Sequence, residues 1–238
     1  TAAALADVKA PSNYIDAEKI ADYIKARTRE LLHGEEAAID SKLLQKALSK
    51  VVATSFNMIS IDGDMSTNDM AIVMANGAAG NPWIDEDNPR AARLFGEALD
   101  SVFKDLALKI VRDGEGATKL VTIRVVGARD EDEALSAAQT IANSALVKTA
   151  FFGEDANWGR IIAALGRSGC SFSPERVAIS FDGVRLVEDG LYLGAEREAA
   201  ATAVLKERKF TETEDVHEGS AEEEAHTCDF SYDHATIN

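Results

Sequence analysis

The sequence holds only two cysteines, Cys170 and Cys228, and no CxxC pair. That excludes a disulfide scaffold and a cysteine metal centre, so both are expected as free thiols. Histidine is nearly as scarce, and His33, His217, His226 and His234 show no spacing to a catalytic partner. The last three are expected in surface or structural roles. There is no GxGxxG, no P-loop and no His/Cys/Asp constellation, so no cofactor and no metal are expected. No apolar run is long enough to span a bilayer and no signal-peptide pattern is present, which points to a cytoplasmic protein, or one of an organellar matrix in a eukaryote. Basic residues are also few: 25 Lys plus Arg stand against 41 Asp plus Glu, a formal net charge of −16. Binding to a phosphate backbone needs clustered cations, so nucleic acid and anionic membranes are excluded as partners. The acidity concentrates in Asp130-Glu131-Asp132-Glu133 and between Glu212 and Glu224, both expected to be solvated faces or loops.

What is present is enough apolar material, 46% of 238 residues, to build a substantial core in one domain or two small ones. Thr1 to Ala10 reads as a strand. Asp16 to His33 repeats Ile20, Tyr23, Ile24 and Leu31 at helical spacing, with Asp16 as cap and Gly34 as stop. A second helix is predicted over Ser41 to Ser55 and a long one over Pro89 to Val111, with Pro89 suited to the first turn. Buried strands are predicted at Met58 to Ile61 and Ala71 to Ala75. Leu120 to Val126 is β-branched and alternating, hence a strand. Ala134 to Leu146 is a helix after an acidic first turn. Another helix begins at Trp158, a hairpin pairs Val177–Phe181 with Gly183–Val187, and Glu196 to Arg208 is helical. Phe210 to Glu214 and Ala225 to Tyr232 read as strands. Interleaving without a repeat or a low-complexity linker fits a mixed α/β or α+β fold.

Three places carry possible chemistry. Thr1 offers a hydroxyl that can attack an acyl carbon and an α-amine, titrating near neutrality, that can take its proton. A processing scar is the alternative. Glu115 lies in Asp113-Gly114-Glu115-Gly116, where glycines let a backbone come close and the carboxylate could hold a cationic amine, although acidic turns are ordinary. Asn238 ends the sequence, where a frayed terminus is the default reading. The polar run from Ser55 to Asp69, including Asp62, Asp64, Thr67, Asn68 and Asp69, reads as a self-bonded turn that braces the fold. Gly153-Glu154-Asp155-Ala156-Asn157-Trp158-Gly159-Arg160 reads as an ion-pair and capping cluster before a helix.

Four blocks give these residues a context: Ser55-Phe56-Asn57-Met58-Ile59-Ser60-Ile61-Asp62-Gly63-Asp64-Met65-Ser66-Thr67-Asn68-Asp69, then Asp113 to Lys119, then Val147 to Ile161, then Thr227-Cys228-Asp229-Phe230-Ser231-Tyr232-Asp233. In kind and order they resemble the bifunctional ornithine acetyltransferase (glutamate N-acetyltransferase) family, from Ala38 to Asn238 and more weakly over Thr1 to Ala10. The resemblance implies a sandwich of helices on two sheets like that of N-terminal-nucleophile hydrolases. It implies a precursor that cleaves itself before a threonine, so that Thr1 opens the β chain of an α2β2 heterotetramer whose α chain is a separate segment. It implies small amino-acid substrates, with catalysis at Thr1 and substrate contacts at Thr1, Glu115 and Asn238. Acetyl would pass from N2-acetylornithine to glutamate, in arginine biosynthesis. Three departures stand out: Ala2 and Ala3 replace the usual Met and Leu, Pro11 to Ala37 looks like an insertion placed at a surface or interface, and the family's last substrate-binding threonine has no counterpart after Asn238. The C-terminal part could form a second lobe within 1–238. An amidohydrolase or aminopeptidase of similar architecture, and a non-catalytic homologue, are the alternatives.

Overall fold

A computed structural model describes residues 2–7, 37–65 and 67–237, with the side chains of 2–7, Ala235 and Ile237 left aside. Thr1, Asn238 and the expected helix over Asp16 to His33 therefore lie outside the described residues. The chain forms two compact units, each made of discontinuous segments: Thr1–Asn57 with Met65–Ile110, and Met58–Asp64 with Val111–Asn238. Both are mixed α/β, as expected from the interleaved pattern.

In the first unit, β1 (Ala2–Asp7) pairs antiparallel with β3 (Met70–Ala75), Ala2 opposite Ala75 and Asp7 opposite Met70. Helix α1 (Ser41–Ala53) packs on this pair, burying Leu44, Leu48, Val51 and Val52. Its start is fixed by Asp40, whose side chain accepts from Lys42 N and Leu43 N at 2.9 and 3.0 Å. That satisfies two of the donors every helix leaves open at its first turn. The long helix α2 (Pro89–Arg112) places Phe103 5.2 Å from Phe56. β3 is not buried throughout, as the sequence suggests. Met70, Ile72 and Met74 are exposed while Ala71 and Ala75 are buried, because a strand pair covered by one helix hides only alternate residues.

The second unit is a seven-stranded mixed sheet. In spatial order it runs β2 (Ile59–Ser60), β9 (Ala221–Cys228), β4 (Leu120–Ala128), β8 (Lys209–Asp215), β5 (Ala178–Phe181), β6 (Val184–Glu188) and β7 (Leu191–Tyr192). β4 lies parallel to β8 and antiparallel to β9. Val121, Ile123 and Val125 of β4 are completely buried, and each such side chain contributes about 1.5–3 kcal/mol. Helix α3 (Glu131–Ala142) packs on β4 and β9 through Ile141 and through Ala134, Ala137 and Ala138, alanines whose small size lets helix and sheet approach closely. Helices α4 (Ala145–Phe152), α5 (Trp158–Gly166) and α6 (Ala195–Leu205) add Phe151, Ile161, Leu165, Ala201 and Leu205 to the same core. A short helix, α7 (Tyr232–Ile237), follows β9.

The helix expected over Ala134 to Leu146 stops at Ala142, and α4 restarts three residues later. The strand expected to reach Tyr232 ends at Cys228. A larger correction concerns the acidic stretch after Glu212. Glu212 and Glu214 are not solvated: both are completely buried in β8, beside Ile123 and Val125 of β4 and Phe181 and Ile179 of β5. They occupy the inward positions of an alternating strand whose other inward residue is Phe210, and Val216, just past its end, is buried too.

Candidate active site

The DGEG segment leaves α2 and turns back at once, with Ala117 N donating to Gly114 O at 2.9 Å. Gly116 sits at φ +70°, and a Cβ there would come 2.4 Å from the backbone nitrogen of His234. The close approach expected of these glycines is therefore made, but by the chain's own C-terminal segment. Three groups of that segment hold the turn. The Ser231 hydroxyl donates to Gly116 O at 2.6 Å. His234 Nδ1 lies 3.1 Å from Glu115 O, so its ring carries the proton on that nitrogen. Asp229, almost fully buried, accepts from Thr118 N and Lys119 N at 2.8 Å each and from the Thr118 hydroxyl at 2.5 Å. Bonds from N–H groups to an ionised carboxylate are about twice as strong as neutral ones. Glu115 itself is exposed in this braced turn.

Behind the turn lies Lys148, 1% exposed in helix α4. Its ammonium donates to Thr227 Oγ1 and Cys228 O, each at 2.5 Å, and sits 4.6 Å from the centre of the Phe230 ring. Burial pushes its pKa down, opposed through space by Cys228, Asp229 and Asp62. Phe230 N donates to Lys148 O at 3.2 Å, and the Phe230 ring stacks on His234 at 4.3 Å. Phe152 meets Tyr232, which is 80% exposed, edge to face at 5.3 Å. Lys119 points the other way, to Leu205 O at 2.7 Å and Glu154 at 3.6 Å.

The GEDANWGR segment is a capping cluster, as expected. Asn157 accepts from Arg160 N at the start of α5 and donates to Asp155 at 2.9 Å. Arg160 ties α5 to α4 by donating to Leu146 O at 2.8 Å and Thr149 Oγ1 at 3.1 Å. In the Ser55 to Asp69 run, Asp62 accepts from Asp64 N at 2.9 Å, a local turn bond. The Ser55 hydroxyl donates to Val51 O at 2.5 Å. Both are bonds within the fold.

Of the three site residues expected from sequence, Glu115 is described, while Thr1 and Asn238 lie outside the described residues. β1 starts at the residue after Thr1 and α7 ends at the residue before Asn238. Sequence reading gave no role to Lys148, Asp229 or Ser231, though all three lie in the family-like blocks, and it expected His234 in a surface or structural role. A usable signal for Lys148 was there: it is the one charge in the apolar helix ALVKTAFF. Both cysteines are free, and burial pushes their pKa values up. Among the described residues no group of His, Cys, Asp and Glu is placed to hold a metal ion. None of their helices is long and apolar enough to cross a membrane.

The ArgJ family model matches residues 34–238. The chain is 56% identical over 203 residues to the arginine biosynthesis bifunctional protein ArgJ of Desulfotalea psychrophila, covering 85% of this chain and 51% of that protein. It is 51% identical over 203 residues to the ArgJ protein of Geobacter sulfurreducens, with the same coverage. The mitochondrial ArgJ protein of Schizosaccharomyces japonicus is 44% identical over 209 residues, 85% of this chain and 48% of that protein. The chain thus spans about half the length of the curated relatives it matches. Among solved structures, the argJ protein of Bacillus halodurans superposes with a TM-score of 0.80 at 43% identity, covering 85% of this chain and 95% of that one.

Proposed function

The chain belongs to the ArgJ family, and from that premise we propose that it is the β chain of a glutamate N-acetyltransferase that takes acetyl from N2-acetylornithine. The Thr1 hydroxyl attacks the acetyl carbonyl and its proton passes to the Thr1 α-amine. Collapse of the tetrahedral intermediate expels ornithine, whose nitrogen takes that proton, and leaves an acetyl ester on Thr1. The amine of glutamate then attacks the ester, giving N-acetylglutamate and restoring the hydroxyl. No metal and no cofactor enters either step. Glu115 holds the cationic amine of the amino-acid substrate and Asn238 adds a second contact. Oxyanion donors and a further substrate-binding lysine come from an α chain of the same precursor, joined in an α2β2 heterotetramer after self-cleavage. The enzyme works in the cytoplasm or an organellar matrix.

The observation that carries this reading is the brace around Glu115. Asp229, Ser231 and His234 all hold its turn, and the segment that supplies them runs on to Asn238. Preorganised carboxylates on such rigid supports suit recognition of a small charged substrate. The test is mass spectrometry of the full-length protein after incubation with N2-acetylornithine and no acceptor. One acetyl group on the peptide beginning at Thr1 is expected, and glutamate should discharge it. No adduct, together with undiminished turnover of Thr1→Ala, would refute the proposal. Release of free acetate at one rate with and without glutamate would instead identify a hydrolase.

A further inference from the structure

Lys148 is a buried cation with no direct carboxylate partner among the described residues. Its bonds go to a hydroxyl, a carbonyl and, at 3.7 Å, the Cys228 sulfur, while Asp229 and Asp62 act on it only through space. Burial of a charge is costly unless polar partners surround it, so such a group constrains whatever it bonds. What it bonds is the root of the strip that holds Glu115. Thr227 Oγ1 accepts from Lys148 and directs its own hydrogen toward Ser60 O and Ala142 O, at 2.9 and 3.1 Å. Cys228 O accepts the second bond at 2.5 Å, one residue before Asp229. Phe230 is held twice, by its N–H on Lys148 O and by its ring near the Lys148 ammonium. That ring stacks on His234, which bonds Glu115 O. Residues 227, 228 and 230 are thus tied to one side chain, while residues 229, 231 and 234 tie the Glu115 turn.

We propose that Lys148 is a positioning residue for substrate recognition: it fixes the 227–234 strip, and the strip sets the Glu115 carboxylate where the substrate amine binds. This rests on the substrate-binding role given to Glu115 above. Lys148 touches no substrate. Its loss lets Asp229 and Phe230 shift, and small misplacements of a positioning shell can cost up to about a hundredfold.

The experiment is steady-state acetyl transfer by the full-length protein, comparing Glu115→Gln and Lys148→Met with the parent. A thermal melt of each variant gives its folded fraction. Glu115→Gln is expected to raise KM for N2-acetylornithine by about tenfold or more, as for a lost charged hydrogen bond. Lys148→Met is expected to raise the same KM by about three- to thirtyfold, with kcat per folded molecule within about twofold. A purely structural lysine would lower the folded fraction, and kcat with it, at constant KM. That result for Lys148→Met, beside a raised KM in Glu115→Gln, overturns the proposal and leaves the Glu115 reading intact. An unchanged KM in Glu115→Gln overturns both. If Lys148→Met does not fold, Thr227→Val removes one acceptor of Lys148 and keeps both of those on Cys228. It should raise KM by about threefold, and no change in KM there refutes the positioning role.

Discussion

Gly116 is the point where the Glu115 turn and the C-terminal segment come closest, and its backbone lies at φ +70°. A side chain there meets two penalties: the left-handed conformation, and a Cβ 2.4 Å from His234 N, a backbone atom that cannot rotate away. Gly116→Ala should therefore lower stability by about 2 kcal/mol or more, read as a lower urea midpoint with an unchanged slope. The sequence reading expected a close backbone approach at the glycines beside Glu115, which Gly116 makes, because a residue between two glycines is visible locally. It did not find Asp229, Ser231 and His234. Their bonds to Thr118, Gly116 and Glu115 cross more than a hundred residues of sequence, and no periodicity encodes such a contact. Glu212 and Glu214 went wrong for a related reason. In composition they belong to an acidic run, while their alternation with Thr211 and Thr213 places them on the same inward side of a strand as Phe210.

Among the elements, those whose ends are set by local chemistry were the legible ones. Asp40 caps α1, and Asp130 caps α3 by accepting from Glu133 N at 2.8 Å. The break between α3 and α4 was not legible, because Asn143 and Ser144 interrupt an otherwise apolar run and one of them is engaged from afar. The Ser60 hydroxyl bonds the Asn143 side chain across 83 residues of sequence. The strand running into Tyr232 was overread, since β9 gives way where Asp229 turns in to meet Thr118 and Lys119. At α5 the local rule is testable by itself. Asn157 accepts from Arg160 N at 3.2 Å and fixes the first turn. Asn157→Ala should cost about 1 kcal/mol in chemical denaturation, while Asn157→Asp, which can still accept, should cost much less.

The molecule as a whole was read as mixed α/β, correctly, and the boundary between its two units follows no shift in composition. The chain crosses between them three times: at Asn57–Met58 and Asp64–Met65, both inside the polar run of the first family-like block, and at Ile110–Val111. The larger unit carries an electrostatic load that should show in its stability. Burial pushes the Glu212 carboxyl up to about 7 from its ordinary 4.5, and the Glu214 carboxyl well above that ordinary value. Beyond each other, neither has a hydrogen-bond partner among the described residues. The core around them is apolar; its titratable member, Cys170, is itself pushed up by burial. Both acids therefore stay protonated in the folded chain at a pH where the unfolded chain has released them. The folded state binds more protons from about pH 4.5 upward, so the stabilising difference is complete below 4.5 and is lost as pH rises through about 7. Each proton gives a slope of about 1.4 kcal/mol per pH unit within that window. Chemical denaturation of the protein should show a midpoint that falls from pH 5 to pH 8, and Glu212→Val with Glu214→Val should flatten the fall. Salt separates this from surface repulsion, which a net charge of −16 also makes stronger at higher pH. Screening at 1 M salt acts on exposed charges, with a Debye length of about 3 Å, and reaches buried ones much less. A fall that persists in 1 M salt and disappears in the double variant belongs to the buried pair. A profile that the double variant leaves unchanged would place both carboxyls in contact with water.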